Sequence, residues 1–318
     1  MPGVTVALLG NLAYAQELGK KSTESDVALY AYKEGDTFVT TVVPIRYPEK
    51  PQPLAYALAA ADVGLLVVSA LDKVLGETVV AADASGLARG LIVMQNYLAP
   101  EQLKPLLKGT SLENWTVVED NPIKVRQALA ELAPAPREGP TRIPIDHHFD
   151  VKGIGTVILG FVRQGEVAKH ADLRVYPTKK TAQVRSIQVH DVDVATATFG
   201  DHVGLALKNL QNADLDRGFT LAPEGSMNVL EAAHTSDLEV RVSKWFKAGV
   251  NPGAVLYLAS NWQFVPVKVE TGFVTPGNQG RITIRPQKPF AIEKGERVAL
   301  WNLDDKNLRV VGSAVSLG

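Results

Sequence analysis

An α/β domain followed by two small antiparallel β-barrels is the fold class that this sequence predicts. Three observations predict it: Val/Leu/Ile runs alternating with helical patterns over residues 1–136, a switch to a period of two beyond residue 140, and a proline-rich stretch between the two regimes. Continuous apolar strands are buried on both faces, which points to a largely parallel sheet covered by helices. Alternating strands separated by glycine turns are half-buried, a pattern that closes into small barrels. A chain of 318 residues also exceeds the roughly 250–300 at which single cores stop growing, so several domains are expected.

In the first segment the apolar runs and helical patterns follow one another at residues 4–9, 54–61, 63–68, 91–94, 100–107, 117–118 and 124–132. Residues 133–144, Ala-Pro-Ala-Pro-Arg-Glu-Gly-Pro-Thr-Arg-Ile-Pro, hold four prolines and a glycine and disfavour both helix and sheet interior. A second break falls at Ala222-Pro223-Glu224-Gly225-Ser226. The expected domains are therefore 1–136, 139–224 and 226–318. Strands of period two include residues 155–166, 182–189 and 236–242. Gly153, Gly155 and Gly160 permit twist and close backbone approach in a barrel strand, and Gly165 suits a hairpin turn.

Composition excludes several function classes. Without cysteine there are no disulfides, thiol nucleophiles or cysteine-ligated zinc sites. The histidines are scattered or adjacent on a strand, so no metal site is expected. No apolar run reaches the roughly 18 residues of a membrane helix, and residues 1–10 carry no basic stretch before their apolar run. A buried first strand, a cytoplasmic location and no membrane partner are expected. The C-terminal segment has 11 Lys+Arg against 8 Asp+Glu, while the first 138 residues have 12 against 16, a tilt that weakly favours a polyanion at the C-terminal end. Gly-x-Ser-x-Gly, His-Glu-x-x-His and paired catalytic carboxylates are absent, so no catalytic residue is expected.

The most specific signal lies in the second segment. Its landmarks are Ile145-Asp-His-His-Phe-Asp-Val-Lys-Gly-Ile-Gly155 running on to Gly165, then Tyr176-Pro-Thr-Lys-Lys-Thr181, Arg185-Ser-Ile-Gln-Val-His190, Gly200-Asp-His-Val-Gly204 and Asp216-Arg-Gly218. In that order they resemble the second domain of EF-Tu-like elongation factors, and the Pro-Thr-Lys-Lys and Arg-Ser-Ile-Gln pieces are most similar to the SelB branch. The third segment resembles the matching third domain through residues 238–242, 280–290 and 308–312. With the α/β segment in front, the resemblance covers the whole chain. It implies an EF-Tu-like three-domain architecture with a P-loop-GTPase-like first domain, a protein of the archaeal SelB type, and tRNA or aminoacyl-tRNA as partner. The ribosome or another tRNA-handling protein is a further expected partner, and DNA is not.

A phosphate-binding loop needs amides facing the phosphates, a lysine for the β and γ phosphates and a hydroxyl for Mg²⁺. After Gly10 this chain places Ala15 where the family has its second glycine, Gln16 for the lysine and Glu17 for the hydroxyl, and a carboxylate there repels phosphate. Gly19-Lys20-Lys21-Ser22 offers an imperfect second loop, with an extra lysine and Tyr14 at the first glycine. Residues 44–50 replace Asp-x-x-Gly, and Gln95-Asn-Tyr-Leu98 replaces the guanine-reading motif, with Asn96 and Asp120 surviving nearby. The expectation is a degenerate GTPase-like domain, with neither GTP nor Mg²⁺ bound. Lys20, Lys21, Arg46 and Lys50 are then either solvated cations or contacts to RNA or a partner.

In the family, the first strand and a loop of the second domain hold the aminoacyl end of tRNA. Carried over, those places are Asp146, His147, Phe149 and His202. The SelB branch is expected to have arginine at the places of His147 and His202. An imidazole is only partly charged near neutrality, so it suits an uncharged or differently shaped aminoacyl group better than a selenolate. Because His147 and His148 are adjacent on a strand, only one of them points into a pocket. Lys179, Lys180, Arg185, Lys244, Lys247, Arg281 and Arg285 are candidates for phosphate contacts, and Arg281 and Arg285 share a strand face. Trp245, Trp262 and Trp301 read as core. Three readings stay open: a tRNA binder without functional GTP hydrolysis, a protein-interaction scaffold on the same architecture, and an active GTP-dependent factor for an unusual aminoacyl-tRNA such as pyrrolysyl-tRNA.

Overall fold

A computed structural model describes residues 3–317. The first domain is a seven-stranded sheet in the order Lys20–Glu24, Ala28–Glu34, Thr37–Val43, Gly3–Gly10, Val63–Val68, Gly90–Met94, Thr116–Val118. From Thr37–Val43 onward the neighbours are parallel. Lys20–Glu24 and Ala28–Glu34 add an antiparallel edge.

The parallel part follows from the buried runs: Val63–Val68 has no exposed residue. Helices Gln52–Ala60, Lys73–Ala84, Pro100–Leu107 and Pro122–Glu131 cover the sheet. Their starts are written locally. Asp72 caps Lys73–Ala84 by accepting the Leu75 amide at 2.8 Å, and Asn121 caps Pro122–Glu131 with proline in its first turn. Two elements differ from expectation. Helix Lys73–Ala84 and the edge hairpin lack the clean periodicity that marks the others, since eight of that helix's twelve residues are buried and the hairpin mixes apolar and charged residues on both faces. Gly19-Lys20-Lys21-Ser22 consequently runs into an edge strand instead of forming a strand–loop–helix turn.

Both barrels close. In the second domain the order is Asp172–Tyr176, Thr220–Ala222, Ile143–Val151, Gly155–Phe161, His202–Lys208, Thr181–Val189, and the last strand pairs back to Asp172–Tyr176. In the third it is Ser236–Val242, Gln279–Pro286, Gln263–Thr271, Val255–Ser260, Arg297–Trp301, Val310–Ser316, returning to Ser236–Val242. Gly160 is required where two strands cross closely, because a Cβ there would sit 2.5 Å from the Pro144 carbonyl oxygen.

The three parts share a core. The cluster under helices Gln52–Ala60 and Lys73–Ala84 continues into Phe161 of the second barrel and Trp262 and Trp301 of the third, both tryptophans being fully buried. Buried ion pairs reinforce the junction. Arg163 of the second barrel reaches Asp62 at 3.0 Å, and Arg309 of the third forks onto Glu77 of the first domain. Among the described residues no helix is long and apolar enough to cross a membrane.

Candidate functional site

The site begins with a slip in register. Strand Ile143–Val151 pairs with Gly155–Phe161, and one extra residue between Ile145 and His147 turns Asp146 inward. Asp146 is 1% exposed, with its Oδ2 3.1 Å from His202 Nε2 and 3.6 Å from His147 Nδ1. His202 opens the neighbouring strand opposite Phe161, and the two rings lie 4.4 Å apart. Burial opposes ionisation of Asp146, but His202 and His147 more than offset it and hold the carboxyl well below the usual carboxylate range. Three of the four pocket residues are thus brought together. Phe149 is not among them: it is 41% exposed further along the strand. His148 turns instead to Asn212, with Nδ1 2.6 Å from its Oδ1.

Arg217, not singled out by the sequence, organises the cluster. Its Nε donates to the Asp146 carbonyl at 2.9 Å, its Nη1 to Asp26 at 2.6 Å and its Nη2 to Ser25 at 3.1 Å. The guanidinium also lies over the rings of Tyr56 and Trp262. One side chain therefore ties all three domains at the cluster. The available signal was its position inside the Asp216-Arg-Gly218 landmark.

His202 also faces a groove of about 530 Å³ between the edge hairpin of the first domain and the second barrel. Lys20, Lys21 and Ser22 line one side, and Gln188, His190 and Gly204 the other. His190 stacks on Phe38 of the first domain with ring centres 3.5 Å apart. The groove thus presents two lysines, of which Lys21 pairs with Glu24, two imidazoles, the Asp191 carboxylate and a peptide wall, a set that can take a phosphate and the edge of a base or acyl group.

At the C-terminal end of the parallel strands the loops after Gly10, Met94 and Val118 meet, and they carry Gly10 and Asn96, two of the residues expected at nucleotide-binding places. Gly10 leads into Asn11, whose Nδ2 donates to Gln95 Oε1 at 2.9 Å, and Gln95 Nε2 donates to Asp120 at 3.0 Å. Asn96 donates to the Ser69 carbonyl. Ala15 is buried in a four-residue helix, and Gln16 and Glu17 are exposed on it. Burial and the nearby Asp120 carboxylate push the Tyr14 hydroxyl above its ordinary range.

The candidate phosphate contacts are dispersed and mostly engaged. Lys180 pairs with Asp214, Arg281 with Asp237 at 2.5 Å, and Arg285 with Glu270 at 3.0 Å. Arg185 donates to the Ile154 carbonyl, Lys247 to that of Lys244, and Lys244 to that of Lys108 in the first domain. Arg281 and Arg285 are both exposed on one face of their strand. The exposed Lys179 has no side-chain partner among the described residues. Nor is any group of three or more His, Asp or Glu among them placed to hold a metal.

A mixed, mainly parallel α/β sheet followed by two closed six-stranded barrels defines the three-domain class of EF-Tu-like elongation factors, and residues 155–222 match the family described as elongation factor Tu domain 2. The chain is 36% identical over 314 residues to the uncharacterized protein MJ0325 of Methanocaldococcus jannaschii, covering 98% of this chain and 99% of that one. It belongs to that protein's family, whose second domain is of the elongation factor Tu domain 2 type.

The selenocysteine-specific elongation factor of M. jannaschii is 32% identical over 188 residues, covering 54% of this chain and 40% of that one. Elongation factor 1-alpha of Methanoregula boonei is 26% identical over 197 residues, covering 58% and 46%. The chain thus spans less than half the length of these two factors. Among solved structures, SelB of Methanococcus maripaludis with the GTP analogue GppNHp superposes with a TM-score of 0.84 at 20% identity, over 99% of this chain and 79% of that one. At that identity the likeness establishes the fold.

Proposed function

We propose that this protein binds tRNA, carrying either a non-standard aminoacyl group or none, through a translation-factor architecture whose first domain does not run a GTP cycle. The observation that carries the reading is His202, which joins the buried Asp146 cluster to a groove whose other walls offer Lys20, Lys21 and His190. The lysines supply phosphate attraction, and the stacked His190 and Phe38 pair supplies a flat face beside it. Asp146 fixes His202 by accepting from Nε2, which leaves the imidazole's other nitrogen as a hydrogen-bonding group. Asp146 Oδ1 and His147 Nδ1 are buried without hydrogen-bond partners, capacity that a bound group or water can take up.

Two features support a first domain without a GTP cycle. The hydrogen-bonded chain Asn11–Gln95–Asp120 crosses the ends of the strands where the superfamily reads its nucleotide. A carboxylate, Glu17, stands where a hydroxyl would hold Mg²⁺. A second reading has its own observation: Leu71, Tyr97 and Ile123 are exposed on loops and a helix start at that same end of the sheet, which favours a protein partner there.

The test is a gel shift with charged and uncharged tRNA, with and without GTP and Mg²⁺, at about 50 and about 200 mM salt. The proposal expects binding that weakens steeply with salt and is indifferent to GTP. Absence of binding to any tRNA moves the assignment to the scaffold, and binding seen only with GTP overturns the account of the first domain.

A further inference from the structure

A second cavity, of about 310 Å³, opens where the three domains meet. Its walls come from the end of helix Gln52–Ala60, the turn after helix Lys73–Ala84, the interdomain linker, the second barrel and a hairpin of the third. Five lining residues are arginines: Arg89, Arg137, Arg142, Arg163 and Arg297. Two lining residues, Asp62 and Glu296, are carboxylates, and Glu293 lies just outside. Five guanidiniums therefore line the cavity against two lining carboxylates, with Glu293 just outside and Asp83 beside Arg297, which leaves the cavity net positive.

The carboxylates are already committed. Asp62 forms an ion pair with Arg163 at 3.0 Å and accepts from the Thr5 amide at 3.0 Å. Arg142 Nη1 meets Glu293 at 2.6 Å and Glu296 at 3.4 Å, and Glu296 also accepts from Asn261 at 2.6 Å and from Ser260. Three guanidiniums lack a close carboxylate. Arg297 donates only to the carbonyls of Asp83 and Ala84. Arg137 lies over the Phe199 ring, 4.0 Å from the nearest Asp62 oxygen. Arg89 has no side-chain partner among the described residues, and the Nε of Arg142 is buried without one. Such an excess suits the planar guanidinium fork to a doubly charged tetrahedral anion. Burial and the nearby Arg163 charge push the Arg137 guanidinium below its ordinary range, the direction that an anion would reverse.

We propose that this cavity is a binding site for a small phosphate-bearing anion, gripped by Arg89 and Arg137 at the rim and by Arg142 and Arg163 within. Because its walls belong to all three domains, occupancy couples the anion to their relative placement. The bound phosphate is that of a free small molecule; a backbone phosphate of RNA is the other source of the same chemistry.

Calorimetric titration and thermal unfolding with inorganic phosphate and with pyrophosphate, at constant ionic strength against chloride, provide the test. Expected are saturable binding and a raised unfolding midpoint in the wild type, with affinity about tenfold weaker in Arg137→Gln and in Arg89→Gln. Both residues are exposed, and Arg137 reaches the buried Asp62 only at 4.0 Å while the Arg163 pair at 3.0 Å stays in place, so the variants report binding and not folding. The proposal is overturned if the wild type shows no saturable binding, or if the variants bind as it does. It is equally overturned if neither phosphate binds while both variants lose tRNA in the gel shift, which assigns the arginines to RNA. Phosphate binding that disappears in the variants while tRNA binding is unchanged upholds it independently of the tRNA reading.

Discussion

At the scale of single residues, Asp146 is the clearest case of a group whose state is set by its surroundings. A fully buried carboxylate is unstable as an anion unless paired, and here His202 and His147 provide the pairing. Since the folded-state pKa lies below the unfolded one, the associated stability is present above the ordinary carboxylate range and is lost as pH falls through it towards the folded value. Asp146→Asn should therefore flatten the loss of stability below about pH 4 and lower stability at neutral pH by about 3 kcal/mol. Urea unfolding of both proteins at pH 7 and in the acid range checks this, and an unchanged acid slope would count against the ionised pair. Arg217 belongs to the same scale. It touches the Asp146 carbonyl, Asp26 and two aromatic rings at once.

At the scale of elements, two glycines show how environment decides the sign of one substitution. Gly64 in strand Val63–Val68 lies under the Trp115 ring, and a Cβ there would come within 2.0 Å of it. Gly76, inside helix Lys73–Ala84, has open space for 4 Å around the place a methyl would take. Gly64→Ala should destabilise by about 3 kcal/mol through overpacking. Gly76→Ala should stabilise by about 0.5–1 kcal/mol, because it reduces the freedom of the unfolded chain and fits the helix. Denaturant midpoints measure both, and two changes of the same sign would show that the packing around Trp115 yields more readily than its contacts indicate. The edge hairpin is the other instructive element. It carries Lys20 and Lys21 to the groove beside His202, although these residues offered an imperfect phosphate-loop match in sequence.

At the scale of the whole molecule, the three domains are joined by buried polar ties as well as by a shared apolar cluster. Removing one member of a buried ion pair leaves its partner charged and unpaired, which costs about 3–5 kcal/mol. Arg163→Gln strands Asp62 in this way, with only Arg137 left at 4.0 Å. The expected outcome in scanning calorimetry is separation of the first domain's transition from that of the barrels. A single transition at the wild-type midpoint would mean that the apolar cluster alone couples them. Arg309 and Glu77 make the corresponding tie to the third barrel, where the forked contact is reinforced by the hydroxyl of Tyr47.

The sequence by itself determined the class of fold. Short Val/Leu runs bounded by breakers fit interior strands, period two with glycine turns closes into barrels, and prolines 134, 136, 140 and 144 interrupt regular structure between the two regimes. The helix expected over 124–132 formed as Pro122–Glu131, whereas Lys73–Ala84 was not legible, because eight of its twelve residues are buried and leave little polar face. The landmarks of the second barrel also carried the resemblance that singled out Asp146, His147 and His202. Only the tertiary structure decided what those residues do to one another. A one-residue bulge turns Asp146 inward, Arg217 arrives from 71 positions away, and five arginines converge from three domains on one cavity. Periodicity records which face of an element is buried, but the partner across that face is set by packing between distant segments, and charge balance in a buried junction exists only once those segments meet.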